Sequence, residues 1–316
     1  MNKKFVTGAI LGLAVGDALG VPVEFDSRQS LNREPVTSMR SGGTWGQEAG
    51  TWSDDTSMTI AAVESIARRR AIDYQDIMEN FLRWYERGEF TATGKLFDIG
   101  NTTRSAIIRF SRRILSPAHC GSTEEKSNGN GSLMRILPAT LYLFGTRGKL
   151  AAGELEIIHE FSALTHGHII SKMACGIYSL IAAQILLGKN ISDAFRLGMN
   201  DAKKFYGTDE AFSHFTRLCN ENFAALSEDE ISSSGYVVHT LEAALWCLLN
   251  NGDYRTAVLR AVNLGDDADT TAAVAGGLAG MLYGVEGIPA DWLDTLKRRN
   301  YLEKISDDFS TLVPSS

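Results

Sequence analysis

The sequence lacks the cysteine pattern of a disulfide-rich or zinc-binding protein. Its 316 residues include only four cysteines, Cys120, Cys175, Cys219 and Cys247. None of them forms a CxxC pair, and none lies at zinc-ligand spacing from a histidine. We therefore expect free thiols in a reducing compartment, and we predict a cytoplasmic protein.

A surplus of basic residues is also missing. The chain has 31 Lys and Arg against 38 Asp and Glu, which gives a formal net charge of −7. A general nucleic-acid binder needs a basic surface that neutralises phosphates. The composition therefore predicts that the protein has no nucleic-acid partner.

The longest apolar stretch near the N-terminus is too short for a membrane span. It covers residues 5–16, follows two lysines as in a signal peptide, and ends at Asp17 without a clear cleavage site. A helix that crosses a bilayer needs roughly 20 apolar residues. We predict no membrane segment.

Alternating β-type patterns are scarce, and residues 36–39 are the single candidate for a short strand. Glycines at positions 8, 12, 16 and 20 instead predict a buried N-terminal helix that packs closely on a neighbour. With no linker or internal repeat visible, we expect one all-α domain over residues 1–316. Apolar residues at i, i+3, i+4 and i+7 predict further helices over 56–70, 74–86, 103–115, 155–164, 169–187, 237–249, 254–263 and 270–283.

Two acidic clusters each stand immediately before a predicted helix. The first contains Asp54 and Asp55, and the second contains Asp266, Asp267 and Asp269. A single acidic side chain at such a position is a common helix cap, worth about 1 kcal/mol. Capping does not account for so many carboxylates. If the two helix ends meet, these groups repel one another, and a cation between them removes that cost.

The two clusters contain oxygen ligands only, because histidine and cysteine are absent from both. Oxygen ligands favour Mg²⁺, Mn²⁺ or Ca²⁺. One Mg²⁺ usually takes one or two protein carboxylates. The four or five carboxylates of the two clusters therefore favour two ions that share a carboxylate. Two-metal sites suit hydrolysis. A helical protein with a single structural Ca²⁺ ion is the alternative interpretation.

Three ordered motifs carry a family resemblance. Residues 16–24 read GDALGVPVE, residues 52–56 read WSDDT, and residues 267–270 read DADT. In this order they resemble the ADP-ribosylglycohydrolase family over about residues 7–283. Residues 97–104 and 129–135 are similar to the branch that contains dinitrogenase-reductase-activating glycohydrolase.

The resemblance implies an all-α fold, two divalent metal ions (Mg²⁺ or Mn²⁺) and removal of ADP-ribose from an ADP-ribosylated protein. ADP-ribosylarginine is the favoured substrate. Glu24 is implied to be a general acid or base beside the metals, and Asp98 a second acid. From the residues alone, a surface glutamate and a turn residue are the alternatives for these two. The implied metal ligands are Ser53, Asp54, Asp55, Asp267, Asp269 and Thr270.

The resemblance also indicates where the substrate binds. Backbone amides in the Asn-Gly run would cradle ribose or diphosphate oxygens, although a tight turn is the alternative. Ser132 is also expected to cap the next helix. His166 is implied to line the substrate cleft, and the alternative is a histidine whose hydrogen bonds are satisfied at a helix end. Tyr206 is a candidate for stacking on adenine, and the alternative is an aromatic ring that packs at a helix end. The substrate-binding candidates are Gly129, Asn130, Gly131, Ser132, His166 and Tyr206.

Two residues receive no single role from the sequence. Arg135 is a candidate for contact with a phosphate or for a salt bridge at the edge of the core. Asp266 stands where many family members have glycine.

Two functional alternatives remain open at this stage. The enzyme could hydrolyse another ADP-ribose linkage, because the distal ribose is common to all of them. Alternatively, an immunity protein could bind and counteract an ADP-ribosylating toxin.

Overall fold

The computed structural model describes residues 3–313, which form α-helices and short 3₁₀ helices without a β-strand among them. This confirms the predicted all-α fold. The α-helices are α1 Lys3–Gly20, α2 Arg28–Arg33, α3 Asp54–Arg69, α4 Tyr74–Arg87, α5 Asn101–Ser111, α6 Leu137–Arg147, α7 Ala152–Ala163, α8 Ile169–Leu186, α9 Ile191–Tyr206, α10 Val237–Leu249, α11 Tyr254–Asn263, α12 Ala268–Tyr283, α13 Ala290–Thr295 and α14 Arg299–Ser310.

The helices predicted from apolar spacing all form, with shifts at their ends. Helices α3 and α12 begin two residues earlier than predicted, so Asp54, Asp55 and Asp269 lie in their first turns. Negative side chains are favourable there because the helix dipole is positive at the N-terminus. Two acidic clusters are therefore built into helix ends.

The predicted short strand at residues 36–39 is wrong. The backbone amide of Val36 donates to Asn263 Oδ1 at 2.8 Å, and the amide group of Asn263 donates back to the Val36 carbonyl at 3.0 Å. One side chain thus satisfies the backbone groups that a neighbouring strand would otherwise pair.

The glycines of α1 pack against α12, as predicted from their spacing. A Cβ atom at Gly16 would lie 2.1 Å from the Ala272 carbonyl oxygen, and one at Gly20 would lie 2.3 Å from the Asp269 Cα. Real Cβ atoms do not approach other atoms so closely. The absent side chains let α1 pass directly beside the first turn of α12.

Among the helices of residues 3–313, two, α1 and α8, are long and apolar enough to cross a membrane. In the fold, 94% of the apolar window of α1 and 83% of that of α8 are buried inside the protein. Both are core helices. They belong to one continuous hydrophobic core that extends from Val6 to Val313.

Candidate active site

Carboxylates from three helices meet at one place. Asp17 lies near the end of α1, Asp55 in the first turn of α3, and Asp269 in the first turn of α12. Each offers one oxygen within 4.8 Å of the other two, and all three side chains are buried. The two acidic helix ends therefore meet in the fold, which is the condition on which the predicted metal site depends.

A second group of carboxylates adjoins the first. Glu24, which follows a 3₁₀ helix at the end of α1, and Asp98, in the loop before α5, each offer an oxygen within 4.8 Å of Asp269. Asp269 thus belongs to both groups. Two neighbouring sets of oxygens that share one carboxylate are the arrangement expected around a pair of cations.

The charged forms of these acids are costly without a cation. Burial, followed by repulsion from neighbouring carboxylates, holds the pKa of Asp54, Asp55 and Asp269 well above the usual aspartate range. Burial and the nearby Asp267 raise the pKa of Asp98 to about 7. A bound cation would stabilise all of these groups in their ionised form.

Three carboxylate oxygens at this place have no hydrogen-bond partner among residues 3–313. They are Asp55 Oδ1, Asp267 Oδ1 and Asp269 Oδ2, and each is buried. A buried polar atom without a partner is rare in proteins and points to an ion or ligand that completes it. The donor set therefore fits a hard metal ion.

The two hydroxyls predicted as metal ligands lie in the same cluster. Ser53 Oγ donates to Asp55 Oδ2 at 3.0 Å, and Thr270 Oγ1 lies 3.5 Å from the same oxygen. Ser53 is also the N-cap of α3, because its hydroxyl accepts a hydrogen bond from the Asp55 amide. Ser53 therefore caps α3 and also lies beside the clustered carboxylates.

Asp17 was not among the predicted ligands. Its carboxylate accepts hydrogen bonds from the backbone amide of Ser53 at 2.9 Å and from that of Thr56 at 3.0 Å. The sequence did contain a signal for it, because a lone acidic residue within an apolar helix is costly unless it has partners.

The acidic group opens into a cavity of about 280 Å³. Glu24 lines it and is 4% exposed, so the surface-glutamate alternative is wrong. Burial and the Asp98 charge raise the pKa of Glu24 to about 8, although a hydrogen bond from Trp45 Nε1 opposes this rise. The cavity is lined by Glu24, Phe25, Asp54, Asp98, Gly100, Asn101, Thr102, Thr103, Gly129, Asn130, Gly131, Met134, His166, Gly235, Asp267 and Thr270.

The Asn-Gly run forms one wall of this cavity. The Asn130 side-chain amide donates to Asp267 Oδ2 at 3.1 Å and to Thr240 Oγ1 at 2.9 Å. A Cβ atom at Gly131 would lie 2.9 Å from His166 Cε1. Glycine therefore lets the imidazole ring lie against the loop, and the structure brings these predicted substrate residues beside the carboxylates.

Comparison with known proteins agrees with this geometry. Residues 2–316 match the ADP-ribosylglycohydrolase family. The chain belongs to this family of hydrolytic enzymes. It is 35% identical to the ADP-ribosylarginine hydrolase Tri1 of Pseudomonas putida (strain GB-1) over 308 residues, which cover 97% of this chain and 78% of the relative.

Two further proteins show the same relationship. The ADP-ribosyl-[dinitrogen reductase] glycohydrolase of Rhodospirillum rubrum is 32% identical over 295 residues, which cover 92% of this chain and 89% of the relative. The solved structure of an ADP-ribosylglycohydrolase-related protein complex superposes with a TM-score of 0.82 at 31% identity, and the match covers 99% of both chains. The predicted family and branch are confirmed.

Within this ADP-ribosylglycohydrolase, Ser132 does not line the acidic cavity. Its buried hydroxyl accepts hydrogen bonds from Ser162 Oγ at 2.9 Å and from Cys175 Sγ at 3.5 Å. It also does not cap the next helix, since α6 begins at Leu137 with Ile136 at its N-cap. The side chain instead satisfies polar groups in the core.

Tyr206 also lies apart from the acidic cavity. Its hydroxyl lies 2.7 Å from His159 Nε2, and its ring packs edge-on against Phe205. It lines a separate cavity of about 510 Å³, which contains no residue of the acidic motifs. The structure therefore places Tyr206 away from the acidic cavity, and its contacts are those of the packing alternative.

The structure gives Asp266 a backbone role. Its amide donates to the Asp26 carbonyl at 2.9 Å, and its carbonyl accepts from the Phe25 amide at 2.7 Å. Asp266 and Phe25 both have positive φ, 55° and 69° respectively. Non-glycine residues rarely adopt this conformation unless their surroundings fix it. The two hydrogen bonds clamp the Glu24 loop to the segment that leads into Asp267.

Proposed function

We propose that this chain is a metal-dependent ADP-ribosylglycohydrolase that removes ADP-ribose from arginine side chains of modified proteins. The observation that carries the proposal is the pair of carboxylate groups that share Asp269, beside the cavity that Glu24 and Asp98 line. The arginine linkage is supported by 35% identity to a relative named as an ADP-ribosylarginine hydrolase. The substrate would be an ADP-ribosylated protein, and ADP-ribose a product.

The cofactors in this proposal are two divalent ions, Mg²⁺ or Mn²⁺. When bound, they would polarise the oxygens that contact them and neutralise the acidic cluster. The buried oxygens of Asp55, Asp267 and Asp269 that have no hydrogen-bond partner supply ligands of the right chemical class. Two overlapping groups of oxygens support two ions rather than one.

The remaining walls of the cavity are suited to ADP-ribose, a ligand with many hydroxyl and phosphate oxygens. The N-terminus of α5, at Asn101, has no side-chain cap, so its backbone amides are available beside the cavity. The loop at Gly129 and Gly131 and the ring of His166 lie on the same cavity surface. These groups can contact hydroxyl or phosphate oxygens, while the carboxylates surround the ribose.

The bond to be broken joins the anomeric carbon of ribose to an arginine nitrogen, and a positive charge develops on the sugar as it breaks. Glu24 and Asp98 lie in one cluster, and like charges at such distances favour one protonated and one ionised carboxyl. In the proposed reaction, Glu24 gives its proton to the leaving nitrogen. Water forms the new bond to carbon, and Asp98 takes the proton that this water loses.

Phe25 stands beside Glu24 at the cavity and is 63% exposed. A guanidinium group stacks favourably on an aromatic ring, and the interaction contributes about 0.5–1 kcal/mol at an exposed site. We place the leaving arginine on this side of the cavity. This position puts its nitrogen within reach of Glu24.

All four cysteines are free thiols. This supports the proposal that the enzyme works in a reducing compartment such as the cytoplasm.

The testing experiment measures ADP-ribose released from an arginine-ADP-ribosylated protein, with Mg²⁺ or Mn²⁺ and with EDTA. Asp54→Ala and Asp269→Ala remove carboxylates from the cluster. Asp291→Ala is the matched control, because Asp291 is an exposed aspartate in the first turn of α13. We expect metal-dependent release by the native protein and the control, and loss of at least about 100-fold in both cluster variants.

The other outcomes separate the alternatives. Release from an ADP-ribosylated serine or nucleobase, with none from arginine, would assign another linkage. An immunity protein that acts by binding a toxin would retain that binding in Asp269→Ala. Release that is unaffected by EDTA would contradict the proposed metal dependence.

A further inference from the structure

Arg135 is a fully buried arginine that has no carboxylate partner within the described part of the chain. Its guanidinium carbon lies 5.1 Å from the centre of the Phe81 ring and 5.4 Å from that of Phe161. Its Nη2 donates a hydrogen bond to Thr165 Oγ1. Two aromatic rings thus hold the cation in a fixed position, with one donor aimed at a buried hydroxyl.

The same hydroxyl contacts the imidazole at the cavity wall. Thr165 Oγ1 lies 2.8 Å from His166 Nδ1, and both side chains are buried. Arginine can only donate, so the Thr165 oxygen is an acceptor toward Arg135. The single hydroxyl proton of Thr165 then needs an acceptor of its own.

His166 Nδ1 is the acceptor that this geometry offers. Between residues 3 and 313, no other hydrogen-bond partner of Thr165 Oγ1 is present besides Arg135 and His166. If Nδ1 carried the proton, the buried hydroxyl proton would have no acceptor, and such a group is costly. If Nε2 carries the proton, the Thr165 hydroxyl accepts from Arg135 and donates to His166 Nδ1, so both of its hydrogen-bonding roles are satisfied.

We propose that Arg135 is a positioning residue that acts through Thr165 to hold His166 as the tautomer protonated on Nε2, so that the ring donates a hydrogen bond to an oxygen of bound ADP-ribose. The tautomer follows from this chain's own contacts. Only the identity of the acceptor rests on the proposed function.

The position of His166 supports this role. The ring lines the acidic cavity, and a Cβ atom at Gly129 would lie 3.5 Å from Nε2. Burial and the nearby Arg135 lower the pKa of His166 to about 3, so the ring is neutral at ordinary pH. A neutral ring has one donor and one acceptor, and the carboxylates opposite already supply many acceptors. A donor is what the ligand's oxygens require.

The test reads the tautomer directly by long-range ¹H–¹⁵N correlation spectroscopy of ¹⁵N-histidine-labelled protein. The chain has six histidines, and His166→Gln identifies the signals of this one. Thr165→Val removes the hydroxyl at nearly constant shape, and Thr165→Ser is the control that keeps it. Arg135→Met removes the buried donor, with Arg135→Lys as its matched control. Thermal unfolding confirms that each variant is folded.

We expect the Nε2–H tautomer in the native protein and in Thr165→Ser, and a mixture of tautomers in Thr165→Val. Free ADP-ribose should bind more weakly to Thr165→Val in proportion to the share of the Nε2–H tautomer that is lost, about twofold if half of the rings switch and about tenfold if nine-tenths do. Thr165→Ser should restore the affinity. If Arg135→Met folds, it should shift the tautomer in the same direction, whereas Arg135→Lys should shift it less.

An Nδ1–H tautomer in the native protein would overturn the proposal. So would unchanged ADP-ribose affinity in a Thr165→Val protein whose tautomer had shifted. Native protein that shows the expected tautomer and binds ADP-ribose, yet releases none from arginine, would support this inference and contradict the arginine assignment. The two proposals are therefore distinguishable.

Discussion

The carboxylate of Asp17 accepts hydrogen bonds from both the backbone amide and the hydroxyl of Thr56, at 3.0 and 2.6 Å. The amide of Ser53 donates to the same carboxylate. The first amides of a helix have no partner within the helix, so Asp17 satisfies α3 from outside. It thereby fixes the first turn of α3, which carries Asp54 and Asp55, relative to α1.

Replacing Asp17 by asparagine should weaken both metal binding and the fold. We expect Asp17→Asn to bind Mn²⁺ about 10- to 100-fold more weakly, as for residues that orient metal ligands. The free energy of unfolding should fall by about 1–3 kcal/mol because asparagine offers these buried donors one acceptor oxygen in place of two. Calorimetric titration with Mn²⁺ and urea unfolding measure the two effects.

The control for this prediction is Thr56→Val, which removes one hydroxyl donor and leaves the Asp17 carboxylate in place. We expect it to cost about 1 kcal/mol of stability and to change Mn²⁺ affinity little. Equal Mn²⁺ affinity in Asp17→Asn and native protein would show that Asp17 does not position the ligands.

The metal-free protein should become less stable as pH rises from 5 to 8. Burial raises the pKa of Asp17 to about 6 and of Glu24 to about 8, against ordinary values of 3.8 and 4.5. The folded state therefore binds more protons than the unfolded state in this range. The stabilisation is complete below the unfolded pKa values and is lost as pH rises through the folded ones.

We expect the free energy of unfolding in EDTA to fall by at least about 2 kcal/mol between pH 5 and pH 8. Added Mn²⁺ should raise stability more at pH 8 than at pH 5, because ionised carboxylates bind the ion. Asp269→Asn removes one charge from the cluster and should flatten the pH dependence. A stability that rises with pH in EDTA would contradict this account.

Much of the site could be predicted because its residues are adjacent in sequence. Asp54 and Asp55, like Asp267 and Asp269, stand next to helix starts that apolar spacing marks clearly. The glycine spacing of α1 also predicted close packing, which the contact between Gly16 and Ala272 confirms. The sequence pattern alone did not predict that the two helix ends meet. That step depended on the family resemblance.

The side chains that the structure places away from the acidic cavity have directions that depend on distant packing. Tyr206 ends α9, and its hydroxyl lies where a Cβ atom of Gly176 on α8 would otherwise be. Ser132 follows the Asn-Gly run but points into the core toward Ser162. Neither direction is encoded in local spacing. Asp266 is similar, since its role comes from backbone bonds to a segment about 240 residues earlier.

Trp45 should tune the proton affinity of Glu24. Its indole N–H donates to Glu24 Oε2, and this bond favours the charged carboxylate. Trp45→Phe removes the donor, so the pKa of Glu24 should rise. If protonated Glu24 is the general acid, the loss of kcat at high pH should shift upward by about one pH unit.

The matched control is Trp292→Phe, since Trp292 is buried and its indole N–H donates to Ser38 rather than to a cavity residue. Its pH profile should follow that of the native enzyme. A Trp45→Phe profile that shifts downward, or does not shift, would contradict the general-acid role of Glu24.

Gly20→Ala should damage both the fold and the metal site, because the contact between α1 and α12 is also the contact that places Asp269. The new Cβ atom would lie 2.3 Å from the Asp269 Cα and 2.4 Å from its amide nitrogen. Overpacking of this kind costs about 1–3 kcal/mol, and here the first turn of α12 must move to relieve it.

Gly153→Ala is the control, since Gly153 is exposed on α7 and a methyl group there would have no other atom within 4 Å. We expect that control to stabilise the protein by about 0.5–1 kcal/mol without altering Mn²⁺ affinity. Mn²⁺ titration and urea unfolding of both variants decide the matter: a Gly20→Ala protein that loses stability but keeps native Mn²⁺ affinity would show that the position of Asp269 does not depend on this glycine.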